Sequence, residues 1–426
     1  MRAGYGKKLR QFLSQKTTLN TLIDFGDLPV FEATAYPCIV ITQKATPAAD
    51  HTLAALTVTE AEQIAHITPV MARHAWPLLA KQALTADGWR LEPPEVLNLL
   101  TKLRRAGTPL GEYVQGRFYR GILTGYNEAF VIDRATRERL IAEHPSSDDI
   151  IKPFLRGRDV KRWSVDDTGL YLCYIPWELP IKDYPAVYTH LEKFKKTLQN
   201  RPEVKQGRFP WYALSRYGSE YWQEFAKPKI LYQEIATFQS FAWDTTGAYT
   251  NNKTFLIPEA SLYLLGLLNS KVVWFFLSNT VSKLRGGAYA MQTPYVSQIP
   301  IPAITVEQRK AIETLVEYIL YLMEQPFSYT NELVYANDRL MIAYFEQLLN
   351  GMVYELYLPD ELHQAKKQFV QPFLTEDLPS VEQIKGDKLI ELRAIYAHLF
   401  DKDHPLRRNL YFLDSLDIIR IIEGKA

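Results

Sequence analysis

The chain opens with a helix and two strands that leave a fold unfinished. Residues 4–15 place Leu9, Phe12 and Leu13 at i, i+3, i+4 spacing, with Lys7, Lys8, Arg10 and Gln11 expected to look outward. Leu19–Phe25 and the β-branched run Cys38–Thr42 read as strands, separated by a loop punctuated at Gly26-Asp27 and Pro29. Three such elements cannot cover both faces of a buried strand pair. The N-terminus therefore reads as the tail of an α/β domain whose front is missing.

The remainder is long enough to build its own cores. At 426 residues, 47% hydrophobic and 23% charged, the chain has the balance of ordered protein and room for roughly two to four domains. Net charge is +1, so a nucleic-acid surface has to come from local clustering. Cys38 and Cys173 are the only cysteines, which excludes a disulfide framework. The N-terminal charges precede no apolar run, and the most apolar window, Leu262 to Leu277, is broken by Asn269, Ser270 and Lys271. A signal peptide and a membrane span are thus not expected, and a cytoplasmic location is.

Four segments follow from the pattern: 1–45, the α/β remnant; 46–110, a linker with helical stretches, including Pro94–Arg105; 111–303, rich in Tyr, Phe, Trp, Gly and Pro; and 304–426, helical. In the third, Lys229–Gln233 reads as a strand and Leu262–Ser278 as one buried helix. In the fourth, Thr305 with Gln308 three residues on forms a capping box ahead of a helix running to about Glu324. Further helices are expected at 336–356, 360–369 and 381–399. The fold class is α+β, a strand-rich mixed unit followed by C-terminal helices.

Absent motifs narrow the chemistry. A methyltransferase acting on an exocyclic amino group needs a glycine-rich loop for S-adenosylmethionine and an Asn/Asp-Pro-Pro-Tyr/Phe loop. Glu92-Pro93-Pro94-Glu95 lacks both the polar residue and the aromatic, and Gly26 is isolated. No Walker loop, nucleophile elbow or His-x-x-x-His pattern is present, and no metal site is expected. Glu203-Val204-Lys205 and Pro359-Asp360 with Lys366 are nuclease-like fragments in the wrong order.

Basic clusters are present. Lys152, Arg156, Arg158, Lys161 and Arg162 stand against one acid, Asp159, with Phe154, Gly157 and Trp163 interleaved. Guanidinium forks match phosphate oxygens or a guanine edge, and Gly157 lets backbone approach a phosphate. The competing reading is a solvated charged face. Lys283, Arg285, Gly286, Gly287 and Tyr289 form a second basic loop. Lys195, Lys196, Arg201, Lys205 and Arg208 form a third cluster, read as solvated surface.

Gly121-Ile122-Leu123-Thr124-Gly125-Tyr126-Asn127-Glu128-Ala129-Phe130, followed by Ile151-Lys152-Pro153-Phe154-Leu155-Arg156-Gly157-Arg158-Asp159, resembles the TaqI-like C-terminal specificity domain of adenine-specific DNA methyltransferases, including the fused type IIG restriction-modification enzymes. Pro228-Lys229-Ile230, Leu264–Ser270 and Ile299-Pro300-Ile301-Pro302 before Glu307-Gln308 fit in order. The last is also similar to the end of target-recognition units in type I specificity subunits. Tyr5–Arg10, Ile23–Gly26 and Pro29-Val30-Phe31 resemble the last helix and strand pair of the methyltransferase domain.

The resemblance implies recognition of double-stranded DNA for adenine methylation in bacterial defence, with Lys152, Arg156, Arg158, Lys161, Arg162, Thr124, Asn127, Arg285 and Tyr289 at the interface. It implies that Phe31 stacks on a flipped adenine, against the alternative that Phe31 plugs its own loop into the core. The family's cofactor and catalytic loops lie upstream of the position of Tyr5. No autonomous activity is therefore expected, and S-adenosylmethionine is assigned to a separate catalytic methyltransferase chain. Two alternatives stand beside this reading: a non-functional remnant of a larger methyltransferase-endonuclease, and a protein-interaction module.

Overall fold

The computed structural model describes residues 6–26, 28–32, 36–80, 84–85, 88–89, 91–284, 286–325 and 332–425. The chain divides into two compact units, Met1–Lys102 with Ser282–Ala288, and Leu103–Val281 with Tyr289–Ala426.

In the first unit, β1 (Thr18–Asp24) is the organising strand. It pairs antiparallel with β2 (Cys38–Gln43) and parallel with β3 (Thr52–Thr57), and β3 pairs antiparallel with β4 (Trp76–Leu79). The register of β1 shifts between Leu19 and Thr21, and this irregularity lets Leu19 and Leu22 share a core with Leu53, Leu78, Leu84, Trp89 and Leu97. Ile23 and Phe25 face the opposite way and pack with Leu56, Val58, Ile67 and Met71. Both faces of β1 are thus covered within the unit, by Ile67 and Met71 of the helix Ile67–His74 on one side and by Leu84, Trp89 and Leu97 on the other, all from a stretch read from sequence as a linker with helical stretches. Parallel pairing of β1 with β3 needs an intervening connection, and no local pattern announces it.

The helix Lys7–Lys16 forms where expected, but its orientation differs. Arg10 is buried, while Leu9 and Phe12 are exposed. An i, i+3, i+4 spacing marks an apolar stripe without saying which side a sheet covers. The edge strand β2 likewise exposes Ile39 and Ile41. A short hairpin of β5 (Leu84–Thr85) and β6 (Gly88–Trp89) and the helix Pro94–Arg105 complete the named elements.

In the second unit, β7 (Thr108–Pro109), β8 (Tyr119–Arg120), β9 (Val131–Asp133), β10 (Ile151–Leu155) and β11 (Leu170–Cys173) precede β12 (Lys229–Gln233), β13 (Ile235–Ala236), β14 (Phe241–Asp244), β15 (Tyr249–Thr250) and β16 (Thr254–Pro258). β17 (Tyr289–Ala290) and β18 (Pro300–Ile301) follow. They form two four-stranded sheets, ordered β15-β10-β11-β9 and β14-β12-β16-β8, and the ribbons β13-β17 and β18-β7. An aromatic-rich core joins the sheets, including Phe130, Phe154, Phe225 and Tyr249, the last two stacked 4.5 Å apart.

The apolar run expected as one helix is two, Leu262–Leu268 and Lys271–Thr280, bent by 57°. The break has a local cause. Ser270 caps the second helix by accepting from the Val273 N–H, and buried Asn269 exchanges hydrogen bonds with the Phe241 backbone. Among the described residues no helix is long and apolar enough to cross a membrane.

The capping box forms as read: Thr305 Oγ1 accepts from the Gln308 N–H, and Gln308 Oε1 from the Thr305 N–H. It starts Val306–Glu324, which packs on Glu332–Tyr357. Pro359–Gln364, Val370–Leu374, Lys388–Leu399 and Pro405–Tyr411 follow. The last expected helix starts at Lys388, not 381, because Asp387 supplies the N-cap.

Candidate nucleic-acid interface

Three loops of the second unit converge beyond the end of β10. Gly157 donates its N–H to Asn251 Oδ1 at 3.2 Å, and Gln233 donates to the Val160 carbonyl at 2.6 Å. These contacts join residues 156–163 to the β15–β16 turn and to the end of β12. Asn251 also bridges to Ile122. There Gly121 is required: a Cβ would sit 2.0 Å from the Asn251 carbonyl oxygen.

The outer surface of this junction is cationic. Arg158 is exposed on a single 3-10 turn, Gly157–Asp159. Lys161 is half-exposed, reaching the Arg158 carbonyl at 2.6 Å and Asp166 at 3.4 Å. Beside Gly157, Lys253 is 60% exposed and pairs with Glu234 at 2.9 Å. Glu234 also receives Arg120, whose Nε donates to the Asn252 carbonyl. Lys253 and Arg120 were not singled out in the sequence. Neither sits in a run of bases, and only pairing of β16 with β8 and β12 brings them here.

The ribbon β13-β17 continues from Glu234. It holds Tyr289 opposite Ala236, with the Tyr289 ring edge-on to Trp274 at 5.3 Å. Ile235, exposed on the ribbon itself, and Phe238, exposed two residues after β13, were likewise not singled out. Lys152 lies on β10, partly exposed, and Asn127 is exposed at the start of the short helix Asn127–Phe130. Arg285 lies outside the described residues.

Three residues expected to touch DNA are hydrogen-bonded inside the unit. Arg156 gives a two-pronged pair to buried Asp159, at 2.9 and 3.0 Å, and this pairing raises its already high pKa. Arg162 reaches Glu346 of the helix Glu332–Tyr357 at 2.9 Å and the Asn269 carbonyl at 3.0 Å; burial lowers its pKa. Glu346 also accepts from the Trp163 indole. Buried Thr124 donates to Asn127 Oδ1 at 2.6 Å. The Gly157 N–H, expected for a phosphate, is taken by Asn251.

Arg201 corrects the reading of the third basic cluster as solvated surface. It is buried, and its guanidinium donates to the carbonyls of Leu198, Thr124, Trp211 and Ala213 and to Ser215 Oγ. It holds the Thr124–Gly125 turn, where Gly125 takes φ +81° and a Cβ would lie 2.1 Å from Ser215 Oγ.

In the first unit, Phe31 is 64% exposed on the loop after β1, so it does not plug into that loop's core. Both cysteines are free, and burial pushes the Cys173 thiol up to about 12.

Residues 152–301 match the family model of the TaqI-like C-terminal specificity domain, from Lys152 in β10 to Ile301 in β18. The chain is 25% identical over 319 residues to the type II methyltransferase M.PaeR7I of Pseudomonas aeruginosa, covering 71% of this chain and 54% of that protein. It is 21% identical over 341 residues to the type II methyltransferase M.BstVI of Geobacillus stearothermophilus, covering 72% and 58%. It thus spans little more than half the length of these curated relatives. The fold is similar to that of the type IIL restriction-modification enzyme MmeI, solved in complex with DNA, with a TM-score of 0.50 at 15% identity over 85% of this chain and 49% of that one.

Proposed function

We propose that the chain is the sequence-recognition part of an adenine-specific DNA methyltransferase of a restriction-modification system, and that it does not methylate DNA alone. One observation carries this reading. Within the stretch that matches the specificity domain, Arg158, Lys161 and Lys253 present cationic groups at one junction of three loops, from which the ribbon β13-β17 with Ile235 and Tyr289 continues. Lysine and arginine on such a rim neutralise phosphates, while loop side chains reach base edges in the major groove. Arg156, Arg162 and Arg201 shape this surface from beneath.

Catalysis belongs, in this reading, to a separate methyltransferase part that binds S-adenosylmethionine. The described residues of the turn after β1 do not offer that cofactor the cradle it needs. A glycine-rich turn leading from strand to helix is what cradles such a group, whereas the turn after β1 has the single Gly26, whose N–H is taken by Asp24 Oδ1 at 2.9 Å. The exposed apolar residues Leu9, Phe12, Ile39 and Ile41 favour a covering partner for this unit, since an uncovered apolar edge strand invites pairing. Phe31, displayed on its loop, is positioned to stack on an extruded base once that partner is present.

The test is retention of random duplexes by the purified chain at two salt concentrations, followed by sequencing of what binds. An enriched motif with salt-sensitive affinity supports a recognition part. Retention without enrichment, or none with the catalytic part added, overturns it. Binding that appears only with the catalytic part places recognition in the assembly.

A further inference from the structure

Three metal-ligating side chains, distant in sequence, meet among the C-terminal helices. Glu376 follows the helix Val370–Leu374, His398 lies in the last turn of Lys388–Leu399, and His404 is the N-cap of Pro405–Tyr411. One ligand atom from each lies within 4.8 Å of the other two. Glu376 divides its carboxylate between the rings, with Oε2 2.7 Å from His398 Nε2 and Oε1 3.0 Å from His404 Nε2. The ring centroids are 5.1 Å apart and the planes nearly perpendicular. Both imidazoles therefore aim the same nitrogen at one carboxylate from different directions.

We propose that Glu376, His398 and His404 bind a divalent transition-metal ion of the zinc class, clasping the ends of these helices together. Two imidazoles and one carboxylate suit a borderline ion such as zinc, whereas calcium and magnesium select oxygen ligands. His404 is buried and His398 is 59% exposed, so the site has a protein-backed side and a side open to water, which supplies the fourth ligand.

In the metal-free arrangement each Nε2 donates a proton to Glu376. His404 Nδ1 meanwhile accepts from the Leu406 N–H at 3.3 Å. Taking a metal on Nε2 moves the ring proton to Nδ1 and gives up that long cap contact. The helix start survives, because the His404 carbonyl still accepts from the Arg408 N–H at 3.1 Å. The two hydrogen bonds to Glu376 and one weak cap are exchanged for three coordinate bonds, with the ring protons of His398 and His404 moving to Nδ1.

The experiment titrates the metal-stripped full chain with Zn2+, Co2+ and Mg2+. Expected are one equivalent of zinc, visible absorption of a four-coordinate cobalt site, no response to magnesium, and a thermal midpoint raised by roughly 3 °C or more at saturating zinc. His398→Gln removes a ligand from a mostly solvated side chain, and Glu376→Gln keeps the shape while discarding the charge. Each is expected to weaken zinc binding about tenfold or more while leaving the metal-free midpoint near that of the wild type. Absence of a stoichiometric equivalent, or undiminished affinity in both variants, overturns the proposal. An equal response to magnesium overturns the assigned ion class.

Discussion

Lys229 Nζ and Asp244 Oδ2 lie 2.5 Å apart on facing residues of β12 and β14, and neither side chain is exposed to water. Lys229 also donates to the Phe225 carbonyl, and Asp244 Oδ1 accepts from the Thr246 N–H and hydroxyl. Burial lowers the Lys229 pKa despite the carboxylate beside it. Removing one partner strands the other charge in the core, so Asp244→Ala is expected to cost about 3–5 kcal/mol of stability. Replacing both, as in Lys229→Met with Asp244→Leu, should recover much of that loss. Denaturant unfolding of the two single variants and the double variant checks this; a double variant no more stable than either single one contradicts it.

Eight buried tyrosines make the fold sensitive to alkali. Burial raises the pKa of Tyr174, Tyr232, Tyr263, Tyr318, Tyr344, Tyr354 and Tyr357, and pushes Tyr249 up to about 12. The folded chain then holds phenolic protons that the unfolded chain loses above pH ~10, and stability present below that pH falls as pH rises through the folded values. Each fully protected tyrosine contributes a loss of about 1.4 kcal/mol at pH 11. Lys229 acts with the opposite sign: the unfolded chain binds more protons between its lowered folded pKa and roughly 10.5, so stability rises with pH there. One lysine does not offset eight phenols. The urea midpoint is expected to drop steeply between about pH 10 and 11, in step with the rise of tyrosinate absorbance; a flat midpoint contradicts this.

Arg201 satisfies five acceptors from one buried guanidinium, and no other side chain has that geometry. Arg201→Lys keeps the charge but concentrates its donors on one nitrogen, leaving several of the Leu198, Thr124, Trp211 and Ala213 carbonyls unpaired. Unpaired buried groups cost about 1–3 kcal/mol each, so a loss of about 3 kcal/mol or more is expected. A midpoint within a degree of the wild type would show that lysine suffices.

What the sequence revealed was local, and what it concealed was long-range. The capping box at Thr305 and the strand Lys229–Gln233 follow from neighbours a few residues apart, and both form as read. The density of bases at 152–162 was equally visible, but not how each base is used. Arg156 pairs with Asp159 three residues on, whereas Arg162 finds Glu346 across 184 residues of chain. Lys253 and Arg120 were invisible as a pair because only the sheet brings them to Glu234. The parallel β1–β3 pairing escaped for the same reason, as did the meeting of Glu376 with His398 and His404.

The sharpest prediction for the interface concerns Arg158. Among the described residues it makes no ion pair, and its exposed side chain stands on a turn tied down by Gly157, Asp159 and Val160. Arg158→Ala should therefore leave folding intact, with a stability change within about 0.5 kcal/mol. If the guanidinium grips a phosphate, affinity falls for every duplex and the slope of log K against log salt becomes shallower by about 0.9. If it reads a guanine, affinity falls by about 1–3 kcal/mol for the preferred site, and one position of the recognised sequence relaxes. Arg156→Ala is the control, because its partner Asp159 is buried and its loss acts through the turn. Titrations at three salt concentrations with preferred and single-substituted duplexes separate the two roles. Unchanged affinity, slope and preference would place Arg158 outside the interface, leaving Lys161 and Lys253 to carry the cationic surface.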